Sequence, residues 1–218
     1  MDTRIHLLGS RNSCINQIMY ELRDEQVQTD RLRFRNNMEK LGQLMAYEIS
    51  RFFTYEKRLV TTPLGELEMD LPADEPVLVS ILRAGIPFHN GFLSMLDRAD
   101  NGFISAYRHH TKGNEFVIKI EYLASPDLTN RDLILIDPMI ATGKSMALAY
   151  REIVEAAGLP RQVFLAGIIA SEEGADYALR TIPASQLWVA AIDKELTARS
   201  YIVPGLGDAG DLAFGPKA

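Results

Sequence analysis

The segment Leu133-Ile-Leu-Ile-Asp137-Pro138-Met139-Ile140-Ala141-Thr142-Gly143-Lys144-Ser145 carries the strongest chemical signal in the chain. It reads as a buried strand that ends in a carboxylate, then a short Thr-Gly loop, then a helix. At the start of a helix several backbone N–H groups are unpaired and face the ligand together with the positive end of the dipole, so a phosphate binds there with little rearrangement. Asp137 falls at the carboxyl end of its strand, where open parallel sheets bind ligands. A carboxylate accepts hydrogen bonds from sugar hydroxyls while the following amides hold the sugar's phosphate, and a phosphorylated ribose fits both halves. Two other readings stay open on spacing alone. One is a plain strand–turn–helix connection in which Thr142 or Ser145 caps the helix. The other is a nucleotide-binding phosphate loop, since residues 138–145 match G-x-x-x-x-G-K-S except that Pro138 replaces the first glycine. Proline fixes φ at about −65° and has no N–H to donate, which counts against that loop.

Two further segments bear on the same ligand. Ser80-Ile81-Leu82-Arg83-Ala84-Gly85 puts an arginine and a glycine just after another apolar run, where a guanidinium can clamp a pyrophosphate with two donors. Arg108, after a strand candidate ending at Tyr107, offers a second cation. Tyr201-Ile202-Val203-Pro204-Gly205-Leu206-Gly207-Asp208-Ala209-Gly210-Asp211 is rich in small residues that let backbone approach a flat ligand closely. Asp208 can orient a hydrated Mg²⁺, an ion that prefers one or two carboxylates plus substrate phosphates. Taken alone, the same segment is also a solvated Gly/Asp turn.

The elements that must hold these residues follow from periodicity. Ile15, Ile18, Met19 and Leu22, then Phe34, Met38, Leu41, Met45, Ile49 and Phe52, repeat at helical spacing over about 13–54. Arg58–Thr62 and Glu66–Leu71 flank Pro63-Leu64-Gly65 and read as a hairpin. Val77–Ile81, Leu133–Ile136 and Val163–Ile169 are continuous apolar runs, as strands covered on both faces should be. Phe103–Tyr107 and Leu187–Ile192 are shorter strand candidates. Helical patterns lie between the runs at Phe88–Leu96, Gly143–Ala157 and Glu172–Arg180. This alternation predicts an α/β fold, an open parallel sheet flanked by helices over about 75–200. Residues 108–129 are polar with strand-like 116–120, which suggests a β-hairpin arm near the site. Residues 201–218 hold Gly205, Gly207, Gly210 and Gly215, which predicts a structured loop or tail with no regular element. No repeat or linker divides the chain, so 1–218 is read as one domain.

Composition bounds the function. Of 218 residues, 47% are hydrophobic and 24% charged, which excludes a disordered chain. The net charge of −6, with no basic block, offers no stripe for a phosphate backbone, so no nucleic-acid partner is expected. No apolar run approaches the roughly 18 residues of a spanning helix, and no signal core follows Met1, so no membrane partner and a cytoplasmic location are expected. Cys14 is the single cysteine, which excludes an internal disulfide or a cysteine-held metal. His109 and His110 lack a third ligand at metal spacing, and His6 stands alone. Met38 and Met45 lie on a helical stripe and read as core or interface.

Together, Ile81–Gly85, Asp137–Gly143 and Tyr201–Asp211 with Phe214-Gly215 closely resemble the uracil phosphoribosyltransferase family, in order and over most of the chain. Thr29–Arg35 and the pair Tyr107-Arg108 also look like family features. The C-terminal motif is the most specific, because the strand–Asp–loop signature is shared by phosphoribosyltransferases generally.

The resemblance implies a type I phosphoribosyltransferase-like fold and a pyrimidine-salvage reaction. Uracil and 5-phospho-α-D-ribose 1-diphosphate would give UMP and diphosphate with Mg²⁺. Carried over by position, Asp137, Pro138, Met139, Ile140, Ala141, Thr142, Gly143, Lys144 and Ser145 would bind the donor's ribose 5′-phosphate. Arg83 and Arg108 would hold its diphosphate, and Asp208 would face the diphosphate and its metal. Ile202, Gly207, Asp208 and Ala209 would form the uracil pocket, largely through backbone groups, within a C-terminal loop of about 201–215. Arg83 and Asp208 would be the catalytic groups. Lys144, where the family usually has glycine, is expected to point into solvent, and Asn90 stands where an acidic residue is common. The family implies a homodimer or higher homo-oligomer. Some members are activated by GTP, and no residue here identifies such a site. Two competing functions remain at this level: a phosphate-loop nucleotide kinase, favoured by Gly143-Lys144-Ser145, and a regulator that binds the donor without turnover.

Overall fold

The computed structural model describes residues 2–110 and 116–216, with the backbone alone for 106–110 and 116–120. A short edge strand β1 (Ile5–Leu7) and a 3₁₀ turn precede the helices. Ser13 starts α1 (Cys14–Arg23) with a reciprocal cap: its hydroxyl accepts the Ile15 amide at 3.2 Å, and its own amide donates to Asn16 Oδ1 at 2.9 Å. Asp30 starts α2 (Arg31–Ser50) by accepting the amides of Leu32 and Arg33, both at 3.1 Å. The apolar stripes read from the sequence are the buried faces of both helices.

Next comes the hairpin of β2 (Tyr55–Thr62) and β3 (Gly65–Pro72), paired from Tyr55↔Pro72 to Thr62↔Gly65 around a two-residue turn, Pro63-Leu64. It forms a sheet of its own and is almost entirely exposed.

The main sheet is then built by β4 (Val77–Leu82), α3 (Gly85–Met95), β5 (Asp100–His110), β6 (Phe116–Ala124), β7 (Asp132–Ile136), β8 (Met139–Ile140), α4 (Lys144–Ala157), β9 (Gln162–Ser171), α5 (Glu172–Thr181) and β10 (Ser185–Asp193). Its order is β1-β10-β9-β7-β4-β5-β6, parallel except for β6, with β8 also on β9. Both faces are covered, so successive strand residues enter opposite cores. Leu78, Ile134, Ile136, Phe164 and Ala166 pack on the side of α1, α2 and α3. Val77, Val79, Leu133, Leu135 and Leu165 pack on the side of α4 and α5. That is why the strands read as unbroken apolar runs. The chain goes from β4 outward to β5 and returns to β7 on the other side of β4, so the direction of winding reverses between β4 and β7.

The strand-like stretch within 108–129 is β6, which pairs antiparallel with β5 from Phe103↔Ala124 to His110↔Phe116 and forms the expected β-hairpin at the edge of the main sheet. One expectation needs correction. The glycine-rich C-terminus is not free of regular structure: β11 (Glu195–Leu196) pairs with β12 (Ile202–Val203), and α6 (Ala209–Phe214) follows. Its glycines sit mostly outside α6. Gly205, Gly207 and Gly215 adopt φ of 63°, 91° and 91°, while Asp208 caps α6 and Gly215 ends it.

Candidate active site

The phosphate loop is built where β7 runs out. The Asp137 amide donates to Ala166 O at 3.0 Å, and Asp137 Oδ1 accepts the Met139 amide at 3.2 Å, which fixes the turn. Pro138 O accepts the amides of Ile168 and Ile169, both at 3.0 Å, and β8 continues alongside β9. Met139 and Ile140 therefore run alongside β9 in the sheet. Ala141-Thr142-Gly143 and the first turn of α4 follow as the candidate anion-holding part. Gly143 caps α4 with φ of 71°, and no side chain caps it, which sets aside the reading of Thr142 or Ser145 as caps. The first amides of α4 are left for a ligand.

Behind the loop stands α5. The Ser171 hydroxyl donates to Ala141 O and accepts the Gly174 amide at 2.8 Å, joining cap and loop through one atom. A Cβ at Gly174 would lie 2.3 Å from Ala141 O and 2.5 Å from Ile140 O, so only glycine lets α5 come this close. Lys144 is exposed, as expected, and Ser145 is half-buried.

The register Ser80↔Ile136 puts Asp137 one residue, and Arg83 three residues, beyond the same rung of the sheet. Both stand at the carboxyl ends of the two strands that flank the reversal of winding, where open α/β sheets bind ligands. Arg83 Nη2 donates to Asp211 Oδ1 and to Gly215 O, each at 3.0 Å. Its Nε is buried without an acceptor among the described residues. Asp208 accepts the Asp211 amide at 3.0 Å, and a Cβ at Gly210 would meet Asp208 Oδ1 at 3.2 Å and both Ala84 Cβ and Arg83 Nη2 at 3.9 Å. Arg83, Ala84 and Asp208 thus surround Gly210.

The C-terminal segment is held from the N-terminal helices. Arg23 pairs with Asp193 through two hydrogen bonds, of 2.8 and 3.0 Å, and also donates to Gly205 O, while Asp193 accepts the Gly205 amide at 2.9 Å. Burial raises the Asp193 pKa, but the Arg23 and Gly205 hydrogen bonds and the Arg23 charge outweigh it and hold the carboxyl below its usual range. Arg35 donates to Ala213 O at 2.7 Å, and Arg31 lies against Gly215. Between the α1–α2 connection and this segment opens a cavity of about 500 Å³, lined by Arg23, Gln28, Gly205, Gly207 and Asp208 among others.

Of the residues singled out in the sequence, Arg83 and Asp208 are thus brought together, and residues 137–145 form one strand end, loop and helix start. Ile202 and Ala209 are buried, and Gly207 is exposed on the cavity. Arg108 lies on β5 opposite Ile118, and its side chain, like those of His109 and His110, lies outside the described residues. Asn90 is exposed on α3, beside buried His89. Ser171, Gly174, Asp211 and the Arg23–Asp193 pair carry the site yet received no role from the sequence. Arg23 and Asp193 are 170 residues apart, and no local pattern links them.

A mostly parallel sheet with a candidate anion loop and an arginine at the winding reversal, under a C-terminal cap, fits the phosphoribosyltransferase class. The finer assignment comes from relatives. A family model described as uracil phosphoribosyltransferase matches residues 9–216. A uracil phosphoribosyltransferase of Porphyromonas gingivalis is 52% identical over 214 residues, 98% of each chain. One of Pyrococcus furiosus is 40% identical over 204 residues, 92% of this chain and 86% of its own. A solved structure of a protein from Aquifex aeolicus superposes with a TM-score of 0.85 at 29% identity, covering 97% of this chain and 98% of that one. The chain belongs to the uracil phosphoribosyltransferase family.

Proposed function

We propose that the protein catalyses pyrimidine salvage, joining uracil to 5-phospho-α-D-ribose 1-diphosphate to give UMP and diphosphate. Family membership supports the base and the donor, and the observation that carries the site is the meeting of Arg83 and Asp137 at the winding reversal. Asp137 accepts the ribose hydroxyls, and the amides from Ala141 to Ser145 hold the 5′-phosphate. Arg83 and Arg108 hold the diphosphate. Ile202, Gly207 and Ala209 present backbone groups to uracil, whose N–H lies between two carbonyls.

Displacement at the anomeric carbon passes through an oxocarbenium-like state, as in glycoside hydrolysis. Uracil nitrogen forms the new bond and loses its proton, and the bond to diphosphate breaks with its electron pair leaving on oxygen. The protein's tasks are to align the base and to stabilise the departing charge, and no covalent nucleophile is required. A pocket of fixed donors and acceptors rejects cytosine because one carbonyl becomes an amine and strands buried groups.

The donor set fits Mg²⁺ that arrives on the substrate. Among the described residues no three His, Cys, Asp or Glu converge as a resident cage, whereas Asp208, which accepts the Asp211 amide through Oδ1, is a single carboxylate that lines the cavity. Asp208 would orient the waters of such an ion, whose charge would offset that of the diphosphate.

We read the chain as one domain, because the N-terminal helices and the C-terminal segment close the site between them. It works in the cytoplasm as a homo-oligomer. No described helix is long and apolar enough to cross a membrane, and Leu67 and Met69, exposed on the same face of the hairpin as Val60, offer a second copy an apolar surface. A continuous assay of pyrophosphate release from the donor with uracil and Mg²⁺ tests the reaction. Release that depends on uracil supports it, and ADP formed from ATP in its place would revive the kinase reading.

A further inference from the structure

Asp211 has no part in the reaction above, yet its side chain, together with the Gly215 carbonyl, holds Arg83. The guanidinium reaches from the end of β4 across to α6, and one nitrogen, Nη2, makes all of its protein contacts. Arg83 is 37% and Asp211 41% exposed, so although Nε is buried, part of the guanidinium is open to an anion. An ion pair this exposed adds little to stability. Everything else Asp211 does is done by its backbone: the amide donates to Asp208 Oδ1, and the carbonyl accepts the Gly215 amide at 2.8 Å. Removing the carboxylate therefore spares the start and end of α6 and leaves the Gly215 carbonyl on Arg83, but severs the other of the two links to Arg83, the one through Asp211.

That link joins the two halves of the site. On one side is the arginine at the strand end; on the other is the segment carrying Ile202, Gly207, Asp208 and Ala209. We propose that Asp211 is a positioning residue that couples the two substrates, so that diphosphate on Arg83 tightens uracil and uracil tightens diphosphate. The inference rests on the proposed function, which puts diphosphate on Arg83 and uracil on the C-terminal segment. Without an anion, Arg83 is tied at a single nitrogen and its side chain keeps part of its freedom. Diphosphate on the remaining donors fixes the guanidinium, and through Asp211 and Gly215 it fixes α6 and its cap. The base then meets a segment whose ordering has already been done, which is positive coupling, and linkage makes it reciprocal.

Titration calorimetry of uracil into the full chain, with and without magnesium pyrophosphate, measures the coupling. The expected result is that pyrophosphate tightens uracil by roughly 5- to 150-fold, the usual range for coupled sites. In Asp211→Ala the factor falls severalfold, to what the Gly215 carbonyl alone transmits, while the melting curve is unchanged. Asp211→Asn, which keeps an acceptor for Arg83 but loses the charge, retains an intermediate factor and guards against a misfolded alanine variant. Wild-type-like coupling in both variants would overturn the inference, as would weakening of uracil by pyrophosphate in the wild type, which would make Asp211 a competitor for Arg83. A wild type that makes UMP without coupling refutes this inference alone. A wild type that makes no UMP refutes the function beneath it as well.

Discussion

Asp208 has two jobs that one substitution separates. As the cap of α6 it needs only an oxygen to accept the Asp211 amide, whereas orienting a metal needs the charge. Asp208→Asn keeps the oxygen and loses the charge, so turnover should fall by about 10²-fold, in line with losses of other transition-state charge stabilisers. Its melting temperature should stay close to wild type. Asp208→Ala loses the cap as well and should cost about 1 kcal/mol of stability in addition. Steady-state kinetics beside thermal melts would show the split, and an Asn variant with full turnover would contradict the role given to Asp208. At this scale the sequence was legible where chemistry is local. Asp137 at a strand end and Asp208 in a Gly-rich segment stand out by type and neighbours, while the partner of Arg83 lies 128 residues further on and no spacing announces it.

Between elements, the phosphate loop depends on how closely α5 can stand behind it. Gly174→Ala would press a methyl group into Ala141 O and Ile140 O, both backbone atoms that cannot turn aside. The loop must move. A displacement on the order of 1 Å at a substrate-holding loop costs roughly 10²-fold, so the KM for the phosphoribosyl donor should rise by about that factor while the KM for uracil changes far less. An equal rise in both would mean that the loop does not hold the donor. The sheet and its helices were legible because strands buried on both faces have no polar residues to break the run, and the intervening helices keep a 3.6 period. What misled was composition at the C-terminus. Counting glycines suggested a loop, but those with positive φ border α6, and only Gly210 lies inside it.

Across the whole molecule, two buried titratable groups set how the fold meets acid. His89 on α3 is 2% exposed, and its Nε2 lies 2.8 Å from Asn101 Oδ1, the oxygen left to it because Asn101 Nδ2 donates to Ala99 O. Nε2 therefore carries the proton, and Nδ1 is buried without a protein partner. Burial lowers the pKa of His89, only partly offset by the Asn101 hydrogen bond. The unfolded chain thus takes up this proton first, and stability is lost as pH falls below the ordinary histidine value of about 6.5. Asp193 has a depressed carboxyl pKa, so its contribution persists until pH drops below the usual carboxylate range and is lost beneath it. Melting temperatures from pH 7.5 down to pH 5 should therefore decline in the wild type and decline less in His89→Gln, whereas Asp193→Asn should melt lower throughout that range and lose part of the wild type's further decline in more acidic solution. A His89→Gln variant with the full wild-type slope above pH 5 would assign that decline elsewhere. Neither group could be weighted from sequence, because burial and a partner 170 residues away decide both the direction and the window.

Specificity for the base tests the account most directly. The protein should be given Mg²⁺, the phosphoribosyl diphosphate donor and, in turn, uracil, cytosine, hypoxanthine and orotate, with the nucleotides separated and the rates compared. The account predicts UMP from uracil, with cytosine slower by a factor approaching about 10⁴, as expected when buried polar groups are stranded by the wrong partner. A nucleotide formed at a comparable rate from any of the other three bases, or none from uracil, would contradict it.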